Sequence, residues 1–93
     1  MSKNKVLIDA DGCPVVDIAI KVSSQFEIET FLYCDTSHHI VRENAITITV
    51  PKGPDSVDFK LVNAVTKNDI VITQDYGLAA MCLARGAFVL DQN

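Results

Sequence analysis

The sequence is 93 residues long, carries a formal net charge of −4 and is 48% hydrophobic, with no tryptophan. This length predicts one small domain, and this hydrophobic content favours a packed core over disorder. Eight lysines and arginines are scattered among twelve acidic residues, which argues against tight, nonspecific nucleic-acid binding by this chain alone. The same balance is compatible with a site that holds a cation.

Targeting signals and cysteine chemistry predict the compartment. No apolar run approaches the roughly 18 residues that a membrane-spanning helix needs, and the first residues lack the apolar region of a secretory signal. Three cysteines, Cys13, Cys34 and Cys82, are an odd number without CxxC spacing, which is typical of reduced thiols. We therefore expect a cytoplasmic protein without a membrane partner.

The chain begins with a predicted strand that leads into a helix. Residues 6–9 form an apolar run that ends in Asp9, and a second carboxylate, Asp11, follows one residue later. Pro14 suits the first turn of a helix over residues 14–24. Apolar residues at helical spacing predict the inward face of this helix: Val15, Ile18, Ala19 and Val22. A buried strand that ends in acid and leads through a turn into a helix is typical of a βαβ unit.

The middle of the chain alternates extended and helical patterns. Residues 28–33 and 45–50 predict the second and third strands, and the third is rich in isoleucine and threonine. The polar residues between them, 35–44, predict a loop. After a break at residues 51–54, a second helix is predicted at 56–66. Its apolar stripe consists of Val57, Leu61, Val62 and Val65.

The last third predicts a strand at residues 70–73, a helix at 76–85 with Gly86 at its C-cap, and a strand at 87–90. The predicted inward residues of this helix are Leu78, Ala79, Cys82 and Leu83. Strands that alternate with helices imply an α/β three-layer sandwich with a mostly parallel sheet of about five strands. If strand 1 lies beside strand 4, their carboxyl ends meet at one crevice, which is where such folds bind ligands.

Acidic residues stand at the ends of two of these strands. Asp9 ends the first strand, Asp75 follows the fourth, and Asp58 lies in the first turn of the second helix. Converging carboxylates repel by about 1 kcal/mol per pair in water and about 4 kcal/mol at an effective dielectric of 20, so such a cluster favours a bound cation. Oxygen ligands suit Mg²⁺ or Mn²⁺. The predicted metal ligands are Asp9, Asp11, Asp58 and Asp75.

Structural roles compete with metal binding at most of these positions. Asp55 and Asp58 have nearly the spacing of a capping box, which is the better explanation for Asp55 and an equal one for Asp58. Asp75 equally fits the N-cap of the third helix, and Asp11 fits a turn. Asp9 is the hardest to explain structurally, because it closes a buried strand and has no capping role.

Three further residues are candidate substrate contacts. The hydroxyl of Thr73 could hydrogen-bond a ligand oxygen, or Thr73 could simply be a β-former that ends its strand. Lys52 and Lys60 could face a phosphate backbone, although such lysines are more often solvated surface. Adjacent histidines at 38 and 39 are read as solvated loop residues, and Cys13 is read as a small packing residue despite its place near a helix N-terminus.

Three motifs in this order, IDADGCPV, VPKGPDSVDFKLV and DIVITQDYGLAA, resemble the YaiI/YqxD family of uncharacterised bacterial proteins over nearly the whole chain. That family is grouped with PIN-like domains, whose better-known members are metal-dependent ribonucleases. The resemblance implies a single PIN-like domain over residues 1–93, in which Asp9, Asp58 and Asp75 are the catalytic acids. Family members usually continue into a polar, basic C-terminal segment, which we expect this chain to lack.

Three functions are compatible with these features. The first is a Mg²⁺- or Mn²⁺-dependent nuclease with RNA as its partner, in which Asp9 and Asp75 hold metal and Asp58 completes the site or orients the attacking water. The second is a HAD-like phosphatase, because IDADGC also resembles that signature, with Asp9 as nucleophile and Asp11 as acid–base; a later paired-acid motif is missing. The third is a binding or assembly module with a relic acidic site, in which exposed apolar surface would favour a homodimer.

Overall fold

A computed structural model of the chain describes residues 4–10, 15–53 and 56–90. Eight elements lie in these ranges: β1 (Lys5–Asp9), α1 (Val16–Gln25), β2 (Glu29–Asp35), β3 (Ile46–Val50), α2 (Ser56–Ala64), β4 (Ile70–Ile72), α3 (Tyr76–Ala84) and β5 (Phe88–Leu90). Each predicted strand and helix is present, and the predicted α/β class is confirmed. No helix within the described ranges is long and apolar enough to cross a membrane.

The five strands form one parallel sheet in the order β3-β2-β1-β4-β5. In β1, Val6–Ile8 pairs with Ile70–Ile72 of β4, so the predicted adjacency of the first and fourth strands is confirmed. The chain leaves β1 toward β2 on one side and returns to β4 on the other. The boundary between β1 and β4 is therefore the topological switch point, where open α/β sheets form their ligand crevice.

The helices cover the two faces of the sheet unequally. On one face, α1 packs against Ile8 and Leu32 through its residue Ile20. On the other face, Leu61 of α2 and Leu78 of α3 belong to a second cluster of buried residues. Strands that are buried on both faces read as continuous apolar runs, which is how β1 and β4 appear in the sequence.

The buried face of α1 differs from the predicted one. The structure buries Val16, Ile20 and Ser23, whereas two of the predicted inward residues, Ile18 and Val22, are 64% and 47% exposed. Both sets have helical spacing, because α1 is apolar around most of its circumference. The other two predicted residues, Val15 and Ala19, do pack against the core. The prediction was wrong for Ile18 and Val22, because contacts with the sheet, and not the periodicity, select the buried stripe.

The other two helices follow their predictions more closely. In α2, Leu61 is buried and Val57 and Val62 pack against the same cluster as predicted. In α3, Leu78 is buried, but the predicted inward residue Leu83 is 58% exposed. Gly86 was predicted as the C-cap of α3, but the C-cap is Arg85 and Gly86 is the residue after it. Gly86 has φ of +89° and donates its N–H to the Leu83 carbonyl at 3.0 Å, which is typical of glycine just beyond a helix end.

The second strand is longer than predicted. The pattern predicts residues 28–33, and β2 extends to Asp35 because β3 pairs with it as far as the Asp35–Val50 register. Asp35 therefore belongs to the strand and not to the predicted loop at 35–44. The difference arises because Cys34 and Asp35 carry no local strand signal, and their pairing with β3 is a long-range contact.

A fully buried carboxylate stands where β4 begins. Asp69 accepts hydrogen bonds from the Lys5 backbone N–H (3.0 Å) and ammonium (2.6 Å). It also accepts bonds from the Thr66 N–H (2.7 Å) and hydroxyl (2.8 Å). Burial by itself raises the pKa of Asp69, but these hydrogen bonds outweigh it and lower the pKa below its ordinary 3.8. The ion pair ties the start of β1 to the start of β4.

We expect Asp69→Asn to lower the free energy of unfolding by about 1.5–3 kcal/mol, because the Lys5 ammonium loses its charged partner. The folded-state pKa of Asp69 lies below the unfolded one, so its contribution is present at neutral pH and is lost as pH falls through the folded pKa, below 3.8. Urea unfolding of both proteins from neutral to acidic pH should therefore show a weaker loss of stability with acid in the variant.

Asp17→Asn is the matched control for this measurement. Asp17 accepts a 2.8 Å hydrogen bond from Arg42, but the two side chains are 74% and 45% exposed. Exposed pairs contribute about 0–1 kcal/mol, so this variant should stay close to the parent. Equal losses in the two variants would contradict the anchoring role of Asp69.

Candidate functional site

The carboxyl ends of β1 and β4 bring two predicted site residues into contact. Asp9 ends β1 and is half-buried, and Thr73 directly follows β4. The Thr73 hydroxyl donates a hydrogen bond of 3.1 Å to Asp9 Oδ2. The first predicted acid is thus held by a residue from the neighbouring strand, at the switch point of the sheet.

Thr73 also connects Asp9 to the backbone of Asp75, another of the predicted catalytic acids. The backbone N–H of Asp75 donates to Thr73 Oγ1 at 3.0 Å. Thr73 is only 2% exposed, and its single hydroxyl proton is already given to Asp9. This favours a positioning role for Thr73, while its predicted contact with substrate stays a prediction.

Asp75 is the N-cap of α3, which is one of the two roles that the sequence predicts for it. Its backbone is extended, and its Oδ1 accepts the Leu78 N–H at 3.1 Å. The side chain is exposed, and the cap engages only one of its two carboxylate oxygens. Capping and ligand binding are therefore compatible at this residue.

Asp58 and Asp75 line one pocket of about 320 Å³ between α2 and α3. Its other described lining residues are Phe59, Gly77, Leu78 and Met81. A Cβ atom at Gly77 would lie 3.3 Å from Asp75 Oδ1, closer than most real contacts of this kind. Glycine at this position therefore keeps space open beside the carboxylate.

The negative charge of Asp58 affects the pKa of Cys82, the buried thiol of α3. Burial raises the pKa of the Cys82 thiol most strongly, Arg85 opposes this rise, and the negative charge of Asp58 adds to it. Asp58 itself is half-buried in the first turn of α2. Cys34 and Cys82 are buried and free, as expected for reduced thiols.

The predicted acids are connected in pairs. Thr73 links Asp9 to Asp75, and the pocket joins Asp75 to Asp58. Within residues 4–10, 15–53 and 56–90, no group of three His, Cys, Asp or Glu side chains is close enough together to hold a metal ion. Asp11 and Asp55 lie outside these ranges, so the metal and acid–base roles of Asp11 and the capping role of Asp55 stay predictions.

These carboxylate donors suit Mg²⁺ or Mn²⁺ better than a metal ion that needs all of its ligands from protein side chains. The ionisable groups among the described lining residues of the pocket are the carboxylates of Asp58 and Asp75. Mg²⁺ in proteins usually keeps several waters and binds one or two carboxylates together with substrate phosphates. A site with few protein ligands is therefore suited to a cation that shares its coordination with a phosphate.

The two predicted lysine contacts occupy different positions. Lys52 is exposed just beyond β3, at the same edge of the sheet as Asp9. Lys60 is exposed on α2, two residues after Asp58, and residues at this spacing do not face each other on a helix. Contact of either lysine with a phosphate backbone stays a prediction.

A further acid at this edge has a local structural role. Asp35 ends β2, and its Oδ1 accepts the N–H groups of Ser37 (2.8 Å) and His38 (3.0 Å) and lies 3.0 Å from His38 Nδ1. Partial burial raises the pKa of Asp35, but the bonds from His38 and Ser37 outweigh it and lower the pKa. The signal for this turn is an aspartate followed by small polar residues. His39 Nδ1 lies 3.0 Å from Thr49 Oγ1.

Comparison with known proteins gives one consistent family. Residues 7–93 match a family described as "Uncharacterized BCR, YaiI/YqxD family". The chain is 55% identical over 89 residues to a UPF0178 protein of Exiguobacterium sibiricum, covering 96% of this chain and 60% of that protein. A UPF0178 protein of Ruminiclostridium cellulolyticum is 51% identical, covering 96% of this chain and 58% of the relative.

The chain spans about three-fifths of the length of the curated relatives it matches. A UPF0178 protein of Lachnoclostridium phytofermentans, 46% identical over 86 residues, is covered to 58% of its length. No solved structure matches the sequence. The activity of these relatives is not stated in their names.

We expect Thr73→Val to lower the free energy of unfolding by about 1–3 kcal/mol, because Asp9 loses a donor and the Asp75 N–H loses its acceptor in a buried setting. Thr73→Ser keeps the hydroxyl and removes one methyl group, which is worth about 0.8 kcal/mol. Urea unfolding at neutral pH compares the two variants. A serine variant that is no more stable than the valine variant would show that the hydroxyl does not connect the acids.

Proposed function

Since the chain belongs to the YaiI/YqxD family, we propose its function from the arrangement of its acids: a divalent-metal-dependent nuclease that hydrolyses phosphodiester bonds. The preference for RNA over DNA rests on the resemblance to PIN-like domains. The observation that carries the proposal is the contact of Asp9 with Thr73, and of Thr73 with Asp75, at the switch point of the sheet.

The charges around the pocket support a bound cation. Asp58 and Asp75 face one pocket, and its described lining includes no lysine or arginine. Carboxylates that share a pocket repel each other, and a cation bound between them lowers that repulsion. A small domain has only about 5–15 kcal/mol of total stability, so a cation that relieves such repulsion would be favoured.

In this proposal, Asp9 and Asp75 hold Mg²⁺ or Mn²⁺, Asp58 completes the site, and Asp11 supplies a further ligand. The bound ion would activate water and neutralise charge on the phosphate. Asp58, on the opposite wall of the pocket from α3, is suited to orient the attacking water. Lys52, which is exposed just beyond β3, would contact the phosphate backbone.

Hydrogen bonds within the chain orient the carboxylates of Asp9 and Asp75. Thr73 donates to Asp9 Oδ2 and thereby restricts the rotation of that carboxylate. The Leu78 N–H holds Asp75 Oδ1 in the same way. Side chains that are oriented before the substrate arrives lose less entropy on binding it. Thr73 is therefore a positioning residue in this proposal, and Asp9, Asp58 and Asp75 are the catalytic residues.

We expect Mn²⁺ to raise the melting temperature, because binding to the native state alone adds about 2.7 kcal/mol at a hundredfold excess over Kd. For a domain of this size, that corresponds to a shift on the order of 10 °C. Asp75→Asn should abolish most of the shift while it keeps the helix cap, because asparagine caps as well as aspartate. Differential scanning fluorimetry is the measurement.

Asp17→Asn again serves as the control, since it removes one exposed carboxylate outside the site. It should leave the Mn²⁺ shift unchanged. A shift that survives Asp75→Asn and Asp9→Asn would place the metal elsewhere and contradict the proposed ligands. Incubation with a phosphoryl donor adds a second test, because a phosphoryl group trapped on Asp9 would favour a phosphatase.

We expect Mn²⁺-dependent cleavage of single-stranded RNA, and a rate at least about 100-fold lower in Asp58→Asn, because the attacking water loses the group that orients it. Gel separation of end-labelled RNA gives the rates. Asp17→Asn should cleave at the parental rate. Mn²⁺ binding without any cleavage of RNA or DNA would overturn the nuclease and favour a binding module that retains an acidic site.

A further inference from the structure

An apolar groove of about 380 Å³ lies on the face of the sheet that α1 covers. It runs between α1 and the β4–β5 half of the sheet, where Ile70, Ile72 and Leu90 line its floor. On the opposite face, two helices, α2 and α3, lie side by side. Among the described residues, α1 is the one helix on the groove's face, so this half of the sheet has no helix above it.

One wall of the groove is formed by exposed apolar residues, and two of them, Ile18 and Val22, belong to the stripe that the sequence predicts to face inward. Ile18 and Val22 of α1 and its C-cap residue Phe26 follow one another at four-residue spacing and are 64%, 47% and 71% exposed. At 1.5 Å per residue, this row extends for about 12 Å. A contiguous apolar patch of this kind on a small protein marks a surface that another element covers.

The last strand continues the same surface. Phe88 and Leu90 pair with Ile70 and Ile72, so all four side chains lie on the face that carries the groove. Phe88 is 60% exposed and Leu90 is 54% exposed. The apolar surface therefore extends from α1 across β4 to the edge of the sheet at β5.

The lining restricts the chemistry of any occupant. Of its eleven described residues, Ser23 alone has a polar side chain, and its hydroxyl donates internally to the Ala19 carbonyl at 2.8 Å. The described lining residues offer a ligand neither charge nor free hydrogen-bonding side chains. The groove is therefore unsuited to nucleic acid, anions or metal ions and suited to apolar side chains.

We propose that this groove is the binding site for a helix from the part of the longer relatives that lies outside the matched residues. This helix would pack beside α1 as the second helix on this face of the sheet. About two-fifths of the length of these relatives has no counterpart in this chain. The opposite face shows that a sheet of this width takes two helices. The occupant is thus an amphipathic helix whose apolar face covers Val22, Phe26 and Leu90.

Thiol labelling tests this proposal with two matched valine positions. Val22→Cys lies in the groove. Val41→Cys is the control, because Val41 lies in a loop outside the groove and is 64% exposed. Both are made with Cys13→Ser, while the buried Cys34 and Cys82 remain. Each variant is prepared as the 93-residue chain and as that chain joined to the unmatched part of the Exiguobacterium sibiricum relative, in that protein's own order.

The joined protein should label at Val22→Cys at least tenfold more slowly than the 93-residue chain, and Val41→Cys should label equally in both. Ile18→Cys provides a second groove position if Val22→Cys does not fold, as judged by circular dichroism. Equal labelling of the groove in both proteins would overturn the proposal. Slow labelling in the 93-residue chain that becomes faster on dilution would also overturn it, and would identify a second copy as the occupant.

Discussion

The ion pair between Asp69 and Lys5 joins β1 and β4 at their amino-terminal ends and holds these two strands in register. The candidate site lies at the opposite, carboxyl ends of the same strands. Asp69 is fully buried, and its backbone carbonyl also accepts the Phe88 N–H at 2.8 Å, which adds β5 to the same junction. A slip of one residue would turn every side chain of a strand to the other face. The contact of Thr73 with Asp9 at the far edge therefore depends on this register.

Asp75 combines a capping role with an exposed side chain. Asp75 begins α3, where the helix dipole and the Leu78 N–H both favour a negative charge. Asp9 receives its hydrogen bond from Thr73, which is fixed by the backbone of Asp75 in turn. The carboxylates of Asp9 and Asp75 are therefore both oriented by hydrogen bonds from neighbouring residues at the switch point.

The two faces of the sheet carry different features. The carboxylates and their pocket belong to the side of α2 and α3, whereas the apolar groove belongs to the side of α1. A helix placed in the groove would leave the pocket between α2 and α3 open. The described lining of the groove is apolar apart from Ser23, whereas the pocket carries two carboxylates, so the two features suit different kinds of occupant.

Local signals in the amino-acid sequence were sufficient to predict the strands and helices and the helix end at Gly86, and to offer a cap as one of two roles for Asp75, because each of these depends on neighbouring residues. They could not select which apolar stripe of α1 faces the sheet, since both stripes have helical spacing. Nor could they identify Asp69, whose partner Lys5 lies 64 positions away in the chain. The pairing of β1 with β4 creates that contact and the one between Asp9 and Thr73, and such pairings exist only once the whole sheet has formed.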